Sequence, residues 1–432
     1  MRRSILHAGA TELTYEIREI VKKANLFEKE GVQISWENIG DPVQKGTPIP
    51  EWMKSIVAGL AMQNESYGYC PTKGVLATRE FLSRRTNALG GVQITTDDIL
   101  FCNGVGDAIN KVYQYLDPGA RIIGPSPAYS THSSAEGGHA SQPPLTYRLD
   151  PENNWFPDME ELRNKVRYNP NVVGILIINP DNPTGMVYPE PILREIVALA
   201  RQYNLFIIAD EIYTHITYNG AKALQIAEVI QDVPAIAMKG ISKELPWPGS
   251  RCGWLEFYNS RRDPEFMKLV KAIEDAKMLE VCSTTLPQMA IPGIWSHPRF
   301  LEHRAALNLA IQKRGDVVLK TLGDIPELIV NKTYGAFYQS IIFRAGALKP
   351  HQKLSIENPK AKELVEKMVV GVALDKRFVY YVLAATGICV VPISSFCSDL
   401  LGFRVTLLEE DTGKQEWIYQ RLRAAISEFL AS

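Results

Sequence analysis

Residues 172–213 read VVGILIINPDNPTGMVYPEPILREIVALARQYNLFIIADEIY. Val172–Ile178 and Leu205–Ala209 are short apolar runs rich in β-branched residues, each stopped by Asn or Asp. Between them Ile192, Leu193, Ile196, Val197, Leu199, Ala200 and Tyr203 recur at helical spacing. Strand, helix and strand make a βαβ unit, and continuous apolar strands of this kind need cover on both faces. Further out, Ile99–Phe101, Arg121–Gly124 and Ala235–Met238 are three more such runs. A helix is predicted from Asp158, with Glu161 three residues on, as in a capping box, and Met159, Leu162 and Val166 behind. The fold class is therefore α/β, a mostly parallel central sheet covered by helices.

The ends of the chain read differently. Gly335–Tyr338 and Phe403–Leu407 are short strand-like pieces among helices, and a last helix carries Trp417, Ile418, Leu422, Ile426 and Leu430. They predict a smaller α+β domain of residues 1–45 and 311–432 beside a larger one of residues 46–310. Residues 346–378 are charged and helix-prone, with no function assigned to them.

A length of 432 residues favours two cores, and 46% apolar with 22% charged side chains excludes long-range disorder. Lys and Arg number 47 against 48 Asp and Glu, so no bulk field favours nucleic acid or an anionic membrane. The longest apolar stretch, Val379–Pro392, is too short to span a bilayer. Arg2 and Arg3 precede no signal-peptide apolar region. Cysteines 70, 102, 252, 282, 389 and 397 show no CxxC spacing, which argues against a metal site and fits a reducing cytoplasm.

In an open parallel sheet ligands bind beyond the carboxyl ends of the strands, and here each strand ends in a polar cluster. Asn103-Gly104-Val105-Gly106-Asp107 opens a helix, where glycines and N–H groups can approach a phosphate. Position 109, where a dinucleotide fingerprint needs glycine, is Ile109. Pro125-Ser126-Pro127-Ala128-Tyr129 is a stiff loop holding an aromatic face. Asn179-Pro180-Asp181-Asn182-Pro183-Thr184-Gly185 is a rigid turn series in which Asn182 can aim an amide at a ligand. Asp210 follows a buried run and must be paired, by a protonated heteroaromatic nitrogen or by a local arginine, with Tyr213 near it. Ser242-Lys243 brings an amine, and Arg251, flanked by glycines at 249 and 253, can fork onto a phosphate. A phosphate cradle, a flat aromatic, an acid, phenol-oxygen partners, an amine and an arginine together suit pyridoxal 5′-phosphate.

The sequence resembles the class I/II (fold-type I) pyridoxal-phosphate aminotransferases from Gly40 to about Arg404, most specifically in Asn179–Gly185 and in Ser242-Lys243 with Gly249, Arg251 and Gly253. The resemblance implies a Schiff base on Lys243, Asp210 against the ring nitrogen, Asn182 and Tyr213 on the ring oxygen, and Tyr129 on the ring face. It assigns Val105, Gly106 and Arg251 to the phosphate, and Arg404 with Gly40 to the substrate carboxylate. Tyr69, in Tyr69-Cys70-Pro71-Thr72-Lys73-Gly74, would reach the cofactor of a neighbouring subunit, so a homodimer with shared sites is expected. An N-terminal arm or helix crossing to that partner is expected as well. Gly240 stands where many relatives have a hydroxyl residue, and Glu244-Leu245-Pro246-Trp247-Pro248 is unusually stiff and aromatic. The reaction implied moves an amino group from an L-amino acid to a 2-oxo acid, with Lys243 carrying the proton. Arg18, Arg79 and Arg344 are the candidates for a second, side-chain-reading arginine.

Three other readings compete. A lyase on the same scaffold, either a C–S β-lyase or a cyclopropane-forming synthase, would use the same lysine, acid and arginine. A cofactor-sensing regulator would need an appended DNA-binding segment, whereas Ile17, Ile20, Val21 and Leu26 read as a single helix. An NAD-dependent dehydrogenase is disfavoured by Ile109.

Overall fold

The structure, a computed structural model, describes residues 5–13 and 16–432. Arg2 and Arg3 lie outside the described residues, as does the side chain of Ile17. A 3-10 turn at Ala8–Glu12 and a helix at Glu16–Lys29 lead to a short strand, β1 (Ser35–Trp36). The central sheet contains β2 (Ile99–Cys102), β3 (Arg121–Ser126), β4 (Thr146–Asp150), β5 (Phe156–Pro157), β6 (Val172–Ile178), β7 (Phe206–Asp210), β8 (Ala235–Gly240) and β9 (Gly253–Tyr258). Their spatial order is β2-β9-β8-β7-β6-β3-β4-β5. The core from β8 through β4 is parallel, while β9 and β5 run antiparallel to their neighbours.

Side chains alternate across this sheet. In β6, Ile175 and Ile177 face one core and Leu176 and Ile178 the other. Each fully buried side chain of this kind contributes roughly 1.5–3 kcal/mol. One face is covered by the helix Glu190–Gln202 through Leu193, Ile196, Val197 and Ala200. The other is covered by the helices Val105–Gln114 and Pro264–Leu279, through Ile109, Val112, Phe266 and Ile273. Ile109 is thus a helical core residue.

A smaller antiparallel sheet is built from β10 (Leu328–Val330), β11 (Tyr338–Phe343), β13 (Val391–Pro392) and β14 (Gly402–Thr406), while β12 (Ile388–Cys389) pairs with β1. In this sheet Ser340 and Val391 flank Arg404 in register. The helix Thr412–Ala431 closes the chain.

Several local expectations are corrected. Pro125 and Ser126 are the end of β3, paired with Tyr147 and Arg148 of a strand that the sequence reading missed. Strand β9 was missed as well, because a buried Glu256 interrupts its apolar pattern. Asp158 caps its helix by accepting the Glu161 N–H, but the Glu161 carboxylate turns to the Arg148 N–H and Lys165, so the reciprocal half of the box is absent. Gly335–Phe337 precede β11, and Trp417 is half exposed on the outer side of its helix. The stretch 346–378 contains the helix Pro359–Met368 and the start of Leu374–Thr386; its cap Asn358 donates to the Glu30 carbonyl and so ties this stretch to the N-terminal helix.

Candidate active site

The carboxyl ends of the parallel strands, the small sheet and the helix Glu16–Lys29 enclose a cavity of about 440 Å3. Gly40, Val105, Gly106, Tyr129, Asn182, Asp210, Tyr213, Lys243, Arg251 and Arg404 all line it. Tyr69 does not; it is 86% exposed on the surface. The mechanism of convergence is the parallel sheet itself, since neighbouring strands in register end at one level and deliver their following turns side by side.

Asp210, the last residue of β7, is 3% exposed. Its Oδ2 lies 3.0 Å from His132 Nε2, and its Oδ1 accepts the Ile212 N–H at 3.1 Å. The local partner is therefore a histidine rather than an arginine. His132 comes from the helix Ser130–Ala140, and no spacing in the sequence could have linked it to a residue 78 positions away.

The Lys243 Nζ donates to the Gly40 carbonyl at 2.7 Å and lies 6.0 Å from the centre of the Tyr213 ring. The Tyr213 and Tyr338 hydroxyl oxygens are 3.1 Å apart. Burial, reinforced by the Tyr338 phenol, raises the Tyr213 phenol well above its usual range. Arg404 is 2% exposed; its Nη2 donates to the Asn38 carbonyl at 2.6 Å and its Nη1 to Asn182 Oδ1 at 3.3 Å. The turn carrying Asn182 is held by Asp181, whose carboxylate accepts the Thr184 N–H at 3.0 Å and the Thr184 hydroxyl at 2.6 Å. Burial pushes Asp181 up to about 7.

At the mouth, Gly104 has φ +85°, and a Cβ there would lie 2.7 Å from Arg251 Nη2. Glycine thus admits the guanidinium over the start of the helix Val105–Gln114, whose first N–H groups have no partner within the helix. Asp107 closes the turn by accepting the Asn103 N–H at 2.8 Å and pairs with Lys111 at 2.8 Å. Among the described residues no carboxylate pairs with Arg251, so its charge is available to an anion. Gly240 ends β8 opposite Gly253 and contributes no side chain.

The three candidate arginines separate. Arg18 lines the cavity. Arg79 is turned to the Gly74 and Thr96 carbonyls, and Arg344 pairs with Glu152 at the surface.

A second cluster, also missed in the sequence, lies on the opposite side of the same turns. Residues adjoining the site residues, Glu211, His215, Lys239 and Glu244, line a cavity of about 90 Å3 with Glu256. Lys239 Nζ is 2.9 Å from Glu256 and 3.4 Å from Glu211. Burial opposes the Lys239 charge, but the two carboxylates outweigh it and raise its pKa. Burial also lifts Glu244 to about 8 and depresses His215 to about 3. Lys239→Met should destabilise the protein by about 3–5 kcal/mol, because it strands the Glu256 carboxylate in the core. The melting temperature should fall for this variant and recover in part when Glu256→Gln is added.

The geometry combines the Lys243 amine, the histidine-backed Asp210 carboxylate, the buried Arg404 guanidinium and Arg251 at a helix N-terminus in one cleft. The chain matches the family described as aminotransferase class I and II over residues 36–414. The chain belongs to the class I and II aminotransferases. It is 56% identical over 430 residues to an uncharacterized aminotransferase of Methanocaldococcus jannaschii, covering 100% of both. It is 31% identical over 327 residues to the glutamate-pyruvate aminotransferase of Escherichia coli, covering 75% of this chain and 79% of that one. Among solved structures, alanine aminotransferase from Pyrococcus furiosus superimposes with a TM-score of 0.84 at 28% identity, over 99% of this chain and 100% of that one. As an aminotransferase the protein acts on amino acids and 2-oxo acids, and a lyase reading is not favoured. Among the described residues no helix is long and apolar enough to cross a membrane.

Proposed function

We propose that this aminotransferase uses pyridoxal 5′-phosphate attached to Lys243 and exchanges amino groups among alanine, glutamate and their 2-oxo acids. The observation that carries the reading is the convergence of the Lys243 amine, the Asp210 carboxylate and the Arg404 guanidinium on one cavity of about 440 Å3. The substrate class is supported by the likeness to the E. coli glutamate-pyruvate enzyme and the P. furiosus alanine enzyme. The residues fit the cofactor: Arg251 has no carboxylate partner among the described residues, the helix at Val105 offers N–H groups beside it, and a buried acid faces the same space.

When bound, the cofactor supplies a ring that accepts electron density as the substrate Cα–H bond breaks. Asp210, held by His132, presents its carboxylate to the ring nitrogen and favours the protonated form. Asn182 and Tyr213 offer donors to the ring oxygen, and Tyr129 offers an aromatic face. The N–H groups of Val105 and Gly106, with Arg251, take the phosphate. Arg404 clamps the substrate carboxylate beside Gly40 and fixes the direction of the Cα–H bond. Lys243 would hold the cofactor through its amine, and its Nζ would be the base that takes the proton from the substrate Cα.

Tyr69 is assigned to the cofactor phosphate of a second copy, making a homodimer with shared sites. Its exposure supports this, as an aromatic of that size in open water is a natural contact residue. The helix Glu16–Lys29 lines the cavity of its own chain, so no crossing to the partner is needed to explain its position. The larger unit is assigned to residues 46–310 and the smaller to 1–45 with 311–432, the helix Phe300–Leu322 running between them. A cytoplasmic location is part of the same proposal, on the scattered spacing of the six cysteines.

Reduction of the coloured protein with borohydride, followed by peptide mapping, should place the cofactor mass on Lys243; a label on another lysine overturns the reading. Arg18→Gln should raise KM for glutamate and 2-oxoglutarate by about tenfold, the worth of one hydrogen bond to a charged group, and change alanine and pyruvate much less. Steady-state kinetics with the four substrates measures both arms. Ammonia or pyruvate release without an acceptor would instead mark a lyase.

A further inference from the structure

Tyr338, at the start of a strand of the small sheet, meets Tyr213, Arg404 and the Gly40 backbone at once. It begins β11 in the small sheet and is 3% exposed. Its hydroxyl is 3.1 Å from that of Tyr213, which belongs to the turn after β7 of the large sheet. The Arg404 guanidinium carbon stands 4.4 Å above its ring centre. A Cβ at Gly40 would lie 2.2 Å from the Tyr338 hydroxyl, so this oxygen is wedged against the backbone segment whose carbonyl accepts Lys243.

We propose that Tyr338 is a positioning residue that donates its hydroxyl proton to Tyr213, leaving the Tyr213 proton free to point into the cofactor cavity. This rests on the cofactor reading above. Each phenol has one proton, and only one of the two can lie between the paired oxygens. Tyr213 lines the cofactor cavity, and in the reading above its proton serves the ring oxygen, which leaves the Tyr338 proton to fill the 3.1 Å bond between the two hydroxyls. Tyr338 therefore gives and Tyr213 receives. The Tyr213 proton then lies toward the oxygen of the cofactor ring, where it is worth most when the neighbouring lysine-bound nitrogen has lost its own proton. The consequence is a lowered pH midpoint for the visible band of the resting holoenzyme. Because Tyr338 belongs to the carboxylate-binding strand layer and Tyr213 to the cofactor sheet, the bond also fixes one layer against the other at the reacting carbon.

Tyr338→Phe removes one hydroxyl and keeps the ring under Arg404. Spectrophotometric pH titration of the holoenzyme should show the midpoint raised by about half a unit or more, the scale of one neutral hydrogen bond. KM for the amino donor should stay within about threefold, since the ring and Arg404 remain in place. In a Tyr213→Phe background, adding Tyr338→Phe should move the midpoint no further, which separates a relay from general loosening of the fold. A midpoint unchanged by Tyr338→Phe, or equal shifts in both backgrounds, overturns the assignment while leaving the cofactor reading intact. A wild type without any lysine-bound band overturns both.

Discussion

Lys243→Ala is expected to lower kcat by at least about 10,000-fold, the upper range for loss of a positioned general base, before counting loss of the covalent link. In the proposed reading the amine has two roles, as the attachment point for the cofactor and as the base at Cα. Its nitrogen donates to the Gly40 carbonyl and stands over the Tyr213 and Phe337 rings, none of which is a base. Lys243→Arg keeps the cation and the reach but not the nucleophile, so it should be nearly as inactive. If the charge alone mattered, the arginine variant would retain most of the activity. Single-turnover loss of the visible band on adding an amino donor distinguishes the two cases.

Arg404→Leu should cost about 2–5 kcal/mol of transition-state binding, a roughly 30- to several-thousand-fold loss in kcat/KM. The loss is large because the guanidinium is buried and already aimed: the Asn38 carbonyl and the Asn182 amide oxygen hold it, and Tyr338 and Phe396 flank it. Little ordering remains to be done when a carboxylate arrives. Arg404→Lys should fall between the two, because an ammonium keeps the charge and loses the planar fork. A substrate amine lacking the carboxylate gives the control, since its turnover should be far less sensitive to either change. Melting temperatures of both variants show how much of the effect is folding, as removing the guanidinium also leaves the Asn38 carbonyl unpaired in the core.

Much of the architecture was readable because strand and helix patterns are local. The runs at 99–101, 172–178 and 235–238 are strands, and the residues at their carboxyl ends do meet in one cavity. What was misread has a common cause. Strand β9 contains Glu256, which looks like a surface residue until Lys239, Tyr258 and Trp254 are found around it. Pro125 and Ser126 looked like loop because proline lacks a donor, yet β4 pairs beside them at the end of a strand, where proline is tolerated. The three arginines proposed for a side-chain pocket were indistinguishable as letters; only the packing of the helix Glu16–Lys29 puts Arg18, and not Arg79 or Arg344, on the cavity.

The linear order of residues determined the strand–helix alternation, the cluster closing each strand and the family likeness, because all of these depend on periodicity and short-range spacing. Tertiary structure alone decided which histidine stands behind Asp210, which tyrosine meets Tyr213, and that Glu211 and Glu244 turn away from the cleft into a second buried cluster. Those partnerships join residues up to 125 positions apart, and a hydrogen bond of about 3 Å is set by how sheets and helices pack, for which no pattern along the chain carries a signal.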